Sequence, residues 1–193
     1  QALLALTEVP VPAGRAHSVA MPFAQALAAA RTVQIGGVGK AELLQRLAAA
    51  EVQLNAAAQQ LFADERFSTA TAPQQIQVQQ VSVADLGMPD GGVMAQILAA
   101  AAGCGLQPCP LELAPHLRLL LLDQAEGALG FAPTRHQSPP GAIRVVSAPL
   151  CEDDEVPKGF YLRRIEGVLW LRGSWSSADH VRQPDEQLVF AYP

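Results

Sequence analysis

The chain has 193 residues, 50% hydrophobic and 16% charged, enough to bury a core in one domain. With 13 Lys+Arg against 18 Asp+Glu its formal charge is -5, which argues against a protein held to nucleic acid mainly through phosphate contacts. The longest apolar runs fall far short of the roughly 18 residues that a membrane helix needs, so a soluble protein without a membrane partner is expected.

The first thirty residues divide at Pro10, Pro12 and Gly14. Their Ala/Leu content over 24–31 reads as helix, and residues 1–31 are expected to form an extension to one α+β domain over 32–193. Residues 32–35 alternate like a short strand. Leu43, Leu44 and Leu47 then share one face of a helix over 40–50. Val52, Leu54, Leu61 and Phe62 give a second helical pattern to about residue 62, followed by a polar loop over 68–73. Over 75–83 the apolar residues Ile76, Val78, Val81 and Val83 break alternation once, which predicts a strand that ends or bulges near Gln80. Asp90-Gly91-Gly92 makes a turn into a helix with Met94, Ile97, Leu98 and Ala101 on one face, stopped by Gly103 and Gly105.

The second half reads as strands at 117–122, 142–148, 159–165, 168–172 and 187–192. Glu166-Gly167 is a two-residue connection, the length that joins antiparallel strands through a tight primed turn. The Pro-rich stretch 133–141 and the acidic stretch 151–157 read as surface loops. The expected fold is α+β, with a mainly helical N-terminal half packed on a C-terminal mixed or antiparallel sheet.

Cys104, Cys109 and Cys151 make an odd count in a chain large enough to fold without staples, so free thiols and a cytoplasmic location are expected. No second Cys/His pair sits at zinc-ribbon spacing from Cys104 and Cys109, and neither metal nor cofactor is expected. Gly36-Gly37-Val38-Gly39-Lys40 follows a predicted strand and precedes a predicted helix, as a phosphate-binding loop does. Yet Gln34 stands where that pattern needs glycine and Ala41 where it needs a hydroxyl, so the glycines read as a turn and Lys40 as a solvated first-turn residue.

The segment from Cys109 to Arg118 is the densest mixture of reactive types. Glu112 and His116 are four apart, which on a helix puts them on one face as an acid/base pair. Pro115 disfavours that geometry, so a short turn from Pro110 into a strand is expected instead. Asp123 and Glu126 sit in the turn that follows. In the hairpin, Tyr161, Arg163 and Ile165 share one strand face and Phe160, Leu162 and Arg164 the other. Aromatic residues and arginines so placed can recognise a partner by stacking and charge, although their commoner role is core with snorkelling arginines.

The run Cys109-Pro110-Leu111-Glu112-Leu113-Ala114-Pro115-His116-Leu117-Arg118-Leu119, with the stretches 32–36, 81–87, 122–124, 159–162, 169–171 and 184–190, resembles a widespread group of bacterial proteins with no assigned activity. The resemblance implies a bacterial, cytoplasmic protein and transfers no catalytic residue. It also implies that residues 36–40 are not a phosphate-binding loop. The chain departs from the group at Leu120-Leu121 and in an insertion over 130–140.

The leading expectation is a non-enzymatic binding or interaction protein that uses Tyr161, Arg163, Trp170 and Arg172 toward another protein, with any small-molecule ligand left open. The alternative is a small hydrolase-type enzyme built from Glu112, His116, Arg118 and Asp123, with His116 as base and Arg118 as anion-binding group.

Overall fold

A computed structural model describes residues 30–127 and 141–193. The chain runs through β1 (Arg31–Ile35), α1 (Lys40–Ala49), β2 (Gln53–Leu54), α2 (Ala56–Ala63), β3 (Gln74–Ser82), a 3₁₀ turn (Ala84–Leu86), α3 (Met94–Gly103), α4 (Leu113–Leu120), β4 (Ile143–Val145), β5 (Gly159–Ile165), β6 (Val168–Ser174) and β7 (Gln187–Ala191). The expected N-terminal helix falls outside the described residues except for Ala30 and Arg31, and Arg31 is already strand. The insertion over 130–140 also lies outside them. No described helix is long and apolar enough to cross a membrane.

The described strands form one mixed sheet in the order β1-β3-β7-β4-β5-β6-β2. β7 lies between β3 and β4, antiparallel to the first and parallel to the second. The α+β class holds, but the division into a helical first half and a sheet-forming second half does not. β1 and β3 build one end of the sheet, and β2 pairs in parallel with β6 at the other edge.

Side-chain alternation distributes two cores over the two faces. On one face Val33, Ile35, Phe160, Leu162 and Val189 meet Leu43 and Leu47 of α1, Leu61 and Phe62 of α2, and Leu113 and Leu117 of α4. Phe62, Phe67 and Phe160 form a tilted aromatic cluster with centroids 5.4 to 6.1 Å apart. On the other face Ile97 and Ala101 of α3 cover Val81, Val83, Val146, Leu188 and Phe190. The irregular apolar pattern of β3 follows from this arrangement: Ile76 and Val78 serve the first core, Val81 and Val83 the second. Pairing with β7 is continuous from Val78↔Ala191 to Ser82↔Gln187, so the expected bulge is absent.

Residues 113–120 are helix where a strand over 117–122 was expected. Pro115 is the third residue of α4, in the first turn, where backbone N–H groups have no intrahelical acceptor and proline removes no bond. The leucine run then serves one helical face, with Leu113, Leu117 and Leu121 buried and Leu120 and Leu122 exposed. The helical pattern expected from Val52 is divided by Asn55. Its Oδ1 accepts from Ala58 N at 2.9 Å as the N-cap of α2 and from Gly173 N at 2.9 Å, while Nδ2 donates to Gly173 O at 3.1 Å. One side chain thus starts a helix and ties it to β6. The hairpin forms as expected, with Ile165 opposite Val168 and both Glu166 and Gly167 at positive φ, 49° and 80°.

Candidate functional site

Hairpin register places Tyr161 opposite Arg172 and Arg163 opposite Trp170. Directly paired residues point the same way, so all four lie on the face that carries the α3 core elsewhere in the sheet. β4 extends the row. Ile143 and Val145 turn toward the first core, which leaves Arg144, opposite Tyr161, on the hairpin's outer face. Arg144, Tyr161, Trp170 and Arg172 contact one another: the Arg144 guanidinium lies 5.9 Å from the Tyr161 ring centroid, Arg172 Nε donates to Tyr161 Oη at 2.9 Å, and the Arg172 guanidinium lies 5.0 Å from the Trp170 ring. All are half-buried, and neither Tyr161 nor Trp170 belongs to either core. The strand positions of this face carry no carboxylate.

Where α3 stops covering the sheet, a cavity of about 410 Å³ opens between α3, β4 and the loops around residues 152 and 178. Met94, Leu98, Val146 and Pro149 give it an apolar wall, and Arg144, Ser147, Lys158, Ser176 and Arg182 give it polar groups. Arg182 is 2% exposed. Its Nη1 donates to Glu186 Oε2 at 3.2 Å and its Nη2 to Ser176 Oγ at 3.1 Å, while its backbone exchanges hydrogen bonds with Gly92 at 2.9 and 3.1 Å. The loop carrying Arg182 is thereby pinned to the turn before α3. Burial lowers the Arg182 pKa, and Glu186 opposes that shift.

Arg144 has no such hydrogen bond among the described residues. Its buried Nε finds no hydrogen-bond partner among the described residues, nor do Arg182 Nε and Ser147 Oγ. Burial, reinforced by the charge of Arg182 and opposed by Glu186 and Tyr161, brings the Arg144 pKa down to about 9, so the group is still cationic at neutral pH. Sequence reasoning missed this cavity. The alternation Ile143-Arg144-Val145 signals that Arg144 faces away from the first core, but nothing local places Arg182 beside it.

The other candidate set divides. Glu112 is the N-cap residue of α4, and its Oε1 accepts from Ala70 N at 2.9 Å while Oε2 has no partner among the described residues. His116, one turn on, is buried with Nε2 likewise unpartnered and borders a cleft of about 410 Å³ shared with Gly36, Gly37, Arg46 and Pro73. Burial lowers the His116 pKa; Glu112 opposes the shift and Arg46 adds to it. No hydrogen bond or ion pair joins Glu112 to His116. Arg118 points elsewhere, fully buried, donating to Gln124 Oε1, Leu121 O and, at 3.4 Å, Trp170 O. Burial and the nearby Arg164 charge bring its pKa down to about 10. Asp123 is exposed in the following turn and does not border the His116 cleft, and Glu126 accepts from Gly167 N at 3.2 Å.

The glycine loop is closed. Gly37 N–H donates to Ala70 O at 2.9 Å, and a Cβ on Gly36 would overlap the Ala72 carbonyl. Lys40 is not a solvated residue as expected: its Nζ donates to Asp64 O at 2.8 Å and sits 5.5 Å from the Phe67 ring centroid. All three cysteines are free. Cys109 is buried with Sγ 3.6 Å from Val189 O, and burial pushes its thiol pKa up to about 12. No protein-family model, curated protein or solved structure matches the chain, so no relative's chemistry bears on these residues.

Proposed function

We propose that the protein is a non-enzymatic binding protein that docks an acidic segment of a protein partner on the face of Tyr161, Arg163, Trp170 and Arg172, with Arg144 at its margin. The observation that carries this reading is one contiguous face with three guanidinium groups, two aromatic rings and no carboxylate at its strand positions. Each charge-assisted hydrogen bond there is worth about 1.5–3 kcal/mol. The net charge of -5 favours a short acidic segment over a long polyanion, because a duplex or extended strand would run beyond the cationic face onto acidic surface. The three free thiols and the bacterial resemblance support a place in the bacterial cytoplasm.

Fluorescence anisotropy with a labelled Glu/Asp-rich peptide, beside a labelled single-stranded oligonucleotide, tests the reading. Peptide binding should weaken with salt and fall by about tenfold or more in Arg163→Gln/Arg172→Gln, with circular dichroism unchanged. Oligonucleotide binding without peptide binding, or peptide binding indifferent to the double substitution, rules it out.

The alternative, a small hydrolase with His116 as base, is supported by two orphaned buried atoms one turn apart, Glu112 Oε2 and His116 Nε2, and by the cleft that His116 borders. The separate settings of Arg118 and Asp123 weigh against the four-residue form of that site. Ester hydrolysis that disappears in His116→Ala would favour it.

A further inference from the structure

We infer that the cavity between α3, β4 and the loops around residues 152 and 178 is a binding site for a small organic monoanion, a carboxylate with an apolar body. This goes beyond the docking face: of that face's residues only Arg144, at its margin, lines the cavity, and none of Tyr161, Arg163, Trp170 or Arg172 does. Its volume of about 410 Å³ falls in the range of small-molecule sites, and its make-up is theirs as well: an apolar wall with a few convergent polar groups.

The ligand's charge follows from which lining groups are already satisfied. Arg182 is paired with Glu186 and Ser176, and Lys158 Nζ donates to Cys151 O at 3.1 Å and Asp153 O at 2.6 Å. Arg144 is left as a cation without an acceptor among the described residues, and the lining holds a second unpartnered polar atom, Ser147 Oγ. A guanidinium whose Nε is buried without an acceptor is costly, and the missing group is an anionic oxygen pair able to accept from a planar fork and a hydroxyl. One guanidinium without a hydrogen-bond acceptor calls for one anionic group. A dianionic phosphate monoester would leave its second charge among Glu152 and Asp154, which also line the cavity. The apolar body then lies along Met94, Leu98, Val146 and Pro149, where its burial contributes about 25 cal/mol per Å².

The experiment is calorimetric titration of the full chain with hexanoate, octanoate and decanoate, beside 1-octanol and octyl phosphate. The expected result is saturable binding of at least one carboxylate, weakened by about tenfold or more in Arg144→Met and equally weak for the alcohol on the unaltered chain. Ala95→Phe, on the exposed side of the cavity wall, should abolish carboxylate binding by occupying the space, and it keeps the test open should Arg144→Met misfold. Absence of saturable binding at millimolar carboxylate overturns the inference. So does affinity unchanged in either variant, or alcohol binding as tight as acid binding. Octyl phosphate held more tightly than octanoate overturns the monoanion class.

Discussion

Gln124 joins Arg118 to the hairpin: it accepts from Arg118 Nη1 through Oε1, and its Nε2 donates to Gly141 O at 2.9 Å and to Leu162 O at 3.2 Å. Arg118 Nη2 also donates to Leu121 O, a carbonyl at the end of α4. The buried arginine is therefore the clasp between the last turn of α4 and β5. Arg118→Ala removes it and leaves Gln124 Oε1 without its donor, while Leu121 O still accepts from Gln124 N at 3.2 Å, with an expected loss of about 2–4 kcal/mol. Gln124→Ala leaves the guanidinium with two carbonyl partners and should cost about 1–2 kcal/mol. Urea denaturation of the two variants checks the ordering, and a reversed order would show that Gln124 is the anchor.

Gly36 and Gly87 both have positive φ, 77° and 83°, but their surroundings differ. A Cβ on Gly36 would overlap the Ala72 carbonyl, whereas one on Gly87 would meet nothing within 4 Å. Gly87→Ala should cost only the left-handed backbone strain, about 1–2 kcal/mol. Gly36→Ala adds a clash with backbone and should cost at least about 3 kcal/mol. Equal midpoints in urea would mean that the 70–73 loop yields freely.

His116 makes stability depend on pH. Burial depresses its pKa in the folded chain below the ordinary 6.5, so between the two values the unfolded chain binds more protons than the folded one. The stability that neutral His116 contributes is fully present above about pH 6.5 and declines as pH falls toward the folded value. His116→Gln should flatten that part of the profile in urea titrations at stepped pH. A slope identical in both proteins would assign the dependence to other groups.

Thiol labelling reads the burial of Cys109 directly. Cys104 and Cys151 are half-buried, and Cys109 is buried with its pKa near 12. Two equivalents of a thiol reagent should react under native conditions and the third only in denaturant, because the thiolate is the reactive form. Rapid modification of all three would contradict the packing of Cys109 against β7.

The hairpin was legible because two facts coincide: Glu166-Gly167 has the length of a primed turn, and that length fixes which residues stand opposite one another. The shared face of Tyr161 and Trp170 then follows without any tertiary information. α4 was not legible, because a short run such as Leu119 to Leu122 carries no period and Pro115 reads as a breaker unless its position in the first turn is known. The double core over β3 reads in sequence as an end or bulge near Gln80 for a related reason: Val78 and Val81 belong to different cores, which one strand's pattern cannot reveal. The cavity was hidden more deeply. Arg182 reaches it from a loop whose position depends on backbone pairing with Gly92, a contact with no local signature.

β7 is the seam of the molecule. The ribbon of β1 and β3 and the ribbon of β4, β5, β6 and β2 meet across it, and no other pairing in the described sheet connects them. A nascent chain halted before residue 187 would therefore hold two partial sheets, each with an open edge facing the vacant position. Those edges, β3 over 78–82 and the three-residue β4, are complementary to the same strand, so such a chain would recruit β7 from a neighbouring molecule. Interrupted synthesis or proteolysis at this point thus leads toward strand exchange and aggregation.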